Sequence, residues 1–225
     1  MRRRTTIALA AAVLTTLAAT GCSSSATPDA SSTVVDQSAA PAKPAAALTS
    51  QALAGRLLDE ADLGQGYTRK AETDSSRDDV TMIGCPALEN LGGDAVAGGS
   101  LDFPNSAKAT FAYTRGSDSE ISEELYSDTV DKLGPNTEAV FEAMTGCPVY
   151  QIVVGDKPIA IATRKLPAPA LGDEAWSQLL TFTAGGRDTV MKQTAVRAGS
   201  VFVVVSGSPA LVDTHLARAV EKARG

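Results

Sequence analysis

The thiols of this 225-residue chain are the first candidates for chemistry, because an odd count of three leaves one sulfur with a task of its own. Cys22 closes the segment Leu17-Ala18-Ala19-Thr20-Gly21-Cys22, in which small residues precede the cysteine. That is the arrangement of a bacterial lipobox, with Ala19 where leucine is usual. In a lipobox the cysteine sulfur is diacylated and cleavage then leaves that residue as the new N-terminus. Cys85 and Cys147 sit in near-matching contexts, Met82-Ile83-Gly84-Cys85-Pro86 and Met144-Thr145-Gly146-Cys147-Pro148. In an oxidising compartment a disulfide is the favoured reading of this pair. A redox-active dithiol is the alternative, but the C-x-x-C spacing is missing. Two thiols and a single histidine do not complete a closed zinc site without carboxylates, so neither a metal nor a cofactor is assigned.

His215, the only histidine, lies between Leu211 and Ala219 at the edge of an apolar helical stripe, which favours a structural or surface role. Gly98-Gly99-Ser100-Leu101-Asp102 lacks the last glycine of a nucleophile elbow, and no Walker loop or H-E-x-x-H occurs. Carboxylates cluster at Asp59, Glu60 and Asp62, at Asp74, Asp78 and Asp79, and at Glu123 and Glu124. Paired acids are the tools of glycoside hydrolysis, and the loop from Asp74 to Asp79 has oxygen ligands but not the EF-hand spacing for calcium. Solvated surface is the expectation for all of them. Trp176 shares an alternating stretch with Leu180 and Phe182 and reads as core before ligand platform.

The elements that must carry these residues begin with an export signal. Arg2, Arg3 and Arg4 precede uncharged residues 5 to 21, a stretch shorter than the ~20 predominantly apolar residues of a spanning helix. Residues 1–21 are read as a lipoprotein signal peptide, by either the general secretory or the twin-arginine route. Two acyl chains on Cys22 would then hold the mature chain on the extracytoplasmic face of the cell membrane. Without residues 1–21 the chain keeps 17 basic and 26 acidic residues, a net charge of −9 that argues against nucleic-acid partners. Positions 23–48 are Ser, Ala, Thr or Pro at 19 of 26 places, too little apolar surface to offset ordering entropy. Residues 22–48 are thus expected to form a lipidated stalk, and 49–225 one α+β domain. All ten aromatics lie in that domain, starting at Tyr67.

Within it the spacing predicts a helix over 50–61 stopped at Gly64-Gln65-Gly66, a strand from Tyr67, and a helical turn over 87–91. Alternation over 95–103 and 107–113 predicts a strand pair joined at Pro104-Asn105-Ser106. Ser117-Asp118-Ser119-Glu120 reads as a capping box for a helix through Leu133 that ends at Gly134-Pro135, with a second helix over 137–145. Strands follow over 149–154, 159–164, 176–184, 189–197 and 200–206, with turns at Gly155-Asp156, Gly185-Gly186 and Ala198-Gly199. Ser208-Pro209 opens a final helix with Leu211, Val212, Leu216, Ala219, Val220 and Ala223 inward. Helices before and after hairpin-linked strands give a single mostly antiparallel sheet flanked by helices.

Phe141-x5-Cys147, Leu171-Gly172-Asp173-Glu174 and Val196-Arg197-Ala198-Gly199-Ser200-Val201-Phe202-Val203-Val204-Val205, followed by an amphipathic helix, resemble the PknH-like extracellular sensor domain of actinobacterial serine/threonine kinases and of lipoproteins that carry it. The resemblance implies an antiparallel sheet flanked by helices with a cleft for an extracellular ligand, and no catalytic residue. That pattern often has two disulfides and a Trp ahead of one cysteine, where this chain has Phe141 and one possible bridge. The expected function is a non-enzymatic ligand-binding or sensor-like lipoprotein of the cell envelope, taking a small molecule, a glycan or a protein. A wall-directed hydrolase using two carboxylates 5 to 9 Å apart, and a structural assembly factor with an exposed apolar patch, are the alternatives.

Overall fold

The computed structural model describes residues 46–72, 80–91, 103–115 and 119–225. The export signal, Cys22, the stalk up to residue 45, the acidic loop 74–79, the alternating stretch 95–102 and the first half of the 117–120 capping box lie outside the described residues. Five helices and nine strands follow in the order α1 (Ser50–Ala54), α2 (Glu60–Leu63), β1 (Tyr67–Arg69), β2 (Val80–Ile83), α3 (Pro86–Leu91), β3 (Asn105–Tyr113), β4 (Ser119–Ser127), α4 (Val130–Gly146), β5 (Val149–Val154), β6 (Lys157–Leu166), β7 (Glu174–Ala184), β8 (Arg187–Ala198), β9 (Val201–Gly207) and α5 (Pro209–Arg224). The strands make one sheet ordered β1-β3-β4-β9-β8-β7-β6-β5-β2, antiparallel at every described pairing. This is the expected α+β architecture, with helices on both faces.

The two faces are covered at different ends. Leu53, Leu57, Leu58 and Leu63 of the N-terminal segment join Val212, Leu216, Ala219 and Val220 of α5 over Phe111, Ile121, Leu125, Val203 and Val205. On the opposite face Leu133 and Phe141 of α4 cover Tyr126, Phe202 and Val204, while Met144, Cys85 and Leu88 cover Tyr150, Ile152, Ile161 and Leu180. Strand β9 lies where both covers overlap, so Val201 to Val205 are all buried and its sequence shows no alternation.

Three expectations fail for identifiable reasons. The helix expected over 50–61 is two short ones: α1 stops at Gly55, and Asp59 opens α2 through a reciprocal capping box with Asp62. An aspartate satisfies free amides at a helix start better than it serves a helix interior, so the break is local chemistry. Residues 119–127 form a strand and not a helix, because Ile121, Glu123 and Leu125 all point into one core while Ser122, Glu124 and Tyr126 face the other way. It is β4 that pairs with β3, in the place expected for 95–103. Gly134-Pro135 does not end a helix: α4 runs through it with Pro135 inside. Pro135 removes one backbone bond near the helix start, and the burial of Leu133, Thr137 and Phe141 on either side outweighs that loss.

The N-terminal segment is tied to the domain by polar contacts before its first helix. Ser200 Oγ donates to Ala46 O at 3.1 Å and Leu48 N donates to Ser127 Oγ at 2.8 Å, so contact with the sheet begins ahead of Thr49. Arg56 Nη1 donates to Ala223 O at 2.8 Å and Arg224 O at 3.0 Å, closing the carboxyl end of α5 with a positive charge. Arg56→Ala is expected to lower the unfolding free energy of the full chain by about 1 kcal/mol in urea titration. An unchanged midpoint would show that these carbonyls are as well served by water.

Candidate functional site

The Cys85 and Cys147 thiols are joined, with their Cα atoms 5.7 Å apart. Cys85 is buried between β2 and α3, and Cys147 caps α4, so the bridge ties an edge strand to the main helix of its face. Thr163 Oγ1 donates to Met144 O and to Cys147 O at 3.0 Å each, which seats the end of α4 on β6.

The ionisable groups fall into three settings. His215 is buried on α5, its Nε2 2.7 Å from Tyr67 Oη, and burial holds its imidazole below the usual value. The expectation of a structural histidine agrees with this placement. Asp59 and Asp62 both bind the Lys222 ammonium, and Asp62 also accepts from Arg218 at 2.8 Å. Burial works to raise the Asp62 carboxyl, but its bonds to Lys222, Arg218 and the Asp59 amide hold it down at about 2. Arg197 Nη2 donates to Glu174 Oε1 at 2.9 Å and Nη1 to Asp173 Oδ2 at 3.2 Å. No group of three or more potential metal ligands occurs among the described residues.

Glu123 overturns the expectation of a solvated acid. Glu124 is itself mostly buried on the opposite face, where it pairs with Lys108 at 2.6 Å and accepts from Tyr126 Oη, and Glu123 is 1% exposed inside the apolar cluster of the N-terminal segment. Its Oε2 accepts from Leu58 N at 2.6 Å, and Oε1 is buried with no partner among the described residues. Burial pushes its carboxyl up to about 7, against the pull of the Leu58 hydrogen bond and the Lys222 charge. Parity with Ile121 and Leu125 was the available signal; reading a glutamate as outward by default hid it.

Among the described residues, no helix covers, over β7, β6, β5 and β2, the face that α5 covers over β4, β9 and β8. Cross-strand pairing aligns Val190, Thr181, Ala162 and Val149 in one row. It aligns Thr183, Ala160, Gln151 and Ile83 in the next. Val149 is 64% exposed, Ile83 50% and Val190 44%, so three of the four large exposed apolar side chains among the described residues share this half-face. Lys192, paired with Asp213 of α5, and Arg164 flank it. The surface is a strip of exposed Val and Ile side chains with Ala, Thr and Gln between them, suited to contact with a partner molecule.

Superposition on solved structures gives a TM-score of 0.58 with the extracellular domain of PknH from Mycobacterium tuberculosis, over 81% of this chain and 98% of that one, at 12% identity. The chain has the fold of the PknH extracellular domain. An uncharacterised protein from Mycobacterium smegmatis aligns over 74% of this chain and 97% of its own at 12% identity, with a TM-score of 0.38. No family model and no curated protein sequence matches the chain.

In this PknH-type fold the segments that carried the sequence resemblance meet in space. Asp173 N donates to Arg197 O at 2.8 Å, and Gly199 N donates to Asp173 Oδ2 at 2.7 Å, so Leu171-Gly172-Asp173-Glu174 clamps the turn between β8 and β9. Phe141 sits 5.8 Å from Trp176, whose ring is 6.1 Å from Phe202. Trp176 is therefore part of the core beneath α4, as expected.

Proposed function

We propose that the chain is a non-enzymatic, sensor-like binding module of the cell envelope, anchored outside the cytoplasmic membrane through lipid on Cys22. The observation that supports it is the open half of the sheet: a fold shared with an extracellular domain presents one apolar strip among its described residues and encloses the raised acid Glu123. The ligand is a small molecule, a glycan fragment or a protein that covers the strip. Glu123 and Asp62, one carboxyl raised and one lowered, have the electrostatic contrast of an acid and its partner. Glu123 has no exposed oxygen to offer a glycosidic bond, so a hydrolytic reading gains nothing from them. No described helix is long and apolar enough to cross a membrane.

Native mass spectrometry of the full chain solubilised from membranes tests both parts. The expected result is a diacylated N-terminal Cys22, lost together with membrane fractionation in Cys22→Ala, and a retained envelope molecule. Placing charges on the strip with Ile83→Lys and Val149→Lys should reduce that retention at least tenfold without moving the thermal midpoint. An unmodified Cys22 refutes the anchor, and undiminished retention refutes the strip.

A further inference from the structure

Glu123 is more than a misplaced surface acid, because the elements around it offer an ionised carboxyl a single hydrogen bond. On the sheet its neighbours are Ala109 of β3 and Val205 of β9. From above, the linker between α1 and α2 supplies one hydrogen bond through Leu58 N and otherwise packs Leu57 and Leu58 against it. The charged groups that face it are already engaged. Lys222 of α5 is shared between Asp59 and Asp62, Asp62 of α2 adds a negative charge, and Arg69 of β1 donates to Lys108 O and lies over the Phe111 ring. The second carboxyl oxygen has no hydrogen-bond partner within the described residues. Burying an ionised carboxylate in such a setting costs far more than burying the neutral acid.

We propose that Glu123 is a proton-binding switch: neutral, it stays sealed beneath the 55–59 linker, and ionised, it drives that linker off the sheet so that water reaches the carboxylate. The linker joins α1 to α2, so the switch acts on how these two short helices are held to the sheet. This goes beyond ligand binding, since the effector is the proton and no other molecule is required.

The direction follows from linkage. Below the ordinary glutamate value the carboxyl is neutral whether the linker is closed or open, and closure carries no charge penalty. As pH rises toward about 7 the open form releases a proton that the closed form still holds, so closure weakens. The separation between an ordinary glutamate and about 7 corresponds to a change on the order of a hundredfold in the closure equilibrium. His215 on the same helix runs in the opposite sense, because a buried neutral imidazole loses stability as pH falls.

The test is amide hydrogen exchange on the full chain at pH 5 and pH 8, corrected for intrinsic rates. Protection over residues 56–63 is expected to fall on the order of a hundredfold at pH 8 while α4 amides keep theirs. Glu123→Gln should hold the pH 5 level of protection at both values and leave the His215 contribution in place. Carboxyl carbon titration of the unaltered chain provides a reading independent of whether that variant folds: one glutamate resonance should titrate above pH 6. Equal protection at the two pH values, a pH step that survives in Glu123→Gln, or titration of every carboxyl below pH 6 would each overturn the proposal. None of these readings uses a ligand, so they stand or fall separately from the binding reading.

Discussion

Replacing Cys85 and Cys147 together by alanine should lower the unfolding free energy of the chain by about 4 kcal/mol and its thermal midpoint by about 10 °C. The bridge spans 62 residues, and closing a loop of that length removes entropy from the unfolded chain on this order. Its place in the fold makes the loss uneven. Strand β2 contributes four residues, pairs among the described residues with β5 alone, and is followed by a helix of six. Such an edge has little to hold it besides Met82, Leu88 and the sulfur bridge. Under reducing conditions, exchange over 80–91 should therefore rise before that of β7 and β8. Urea titration of the double variant measures the total, and a loss below 1 kcal/mol would show that packing alone secures this edge.

Gly172→Ala is expected to cost about 3 kcal/mol, from two separate sources. The residue has φ +68°, a conformation that alanine adopts at a cost of about 1 kcal/mol. A Cβ there would also stand 2.3 Å from Arg197 O and 2.5 Å from Val196 Cγ1, inside both atoms. Neither neighbour is a free side-chain end, so the 171–174 segment must lift and strain the contacts of Asp173 and Glu174 with Arg197. Gly155→Ala is the internal comparison, because φ there is +63° and its Cβ would meet nothing within 4 Å. Its cost should be about 1 kcal/mol, and the difference between the two variants in urea titration isolates the close approach. Equal costs would mean that the 171–174 segment moves freely.

What could be read beforehand depended on whether a segment obeys one rule at a time. The hairpins from β5 to β9 were legible because Gly155, Gly185, Gly186 and Gly199 mark their turns, and α5 because Ser208-Pro209 precedes a clean stripe. The cysteine pair followed from parity and compartment. Strand β4 was not legible because Ser117-Asp118-Ser119-Glu120 has the pattern of a capping box and Ile121 and Leu125 keep helical spacing, while the inward Glu123 hides the period of two. The passage of α4 through Pro135 was lost because tertiary burial overrode a local breaker. The apolar strip was not legible, since nothing in β5 to β7 says which face α5 will reach. Glu123 was visible as a residue and invisible as a site, for the same reason that β4 was.

The ties of the N-terminal segment have a mechanical meaning. Ala46 to Ser200, Leu48 to Ser127, Ser50 to Ser106, Arg56 to the end of α5 and Leu58 to Glu123 come one after another along the chain. A pull applied at residue 46 loads them in series, each bearing the force alone until it yields, whereas the long antiparallel ladder of β7 and β8 shares load across many bonds. The segment should thus peel at forces far below those that disrupt the sheet, and the bond to Glu123 is the last of these polar ties to part.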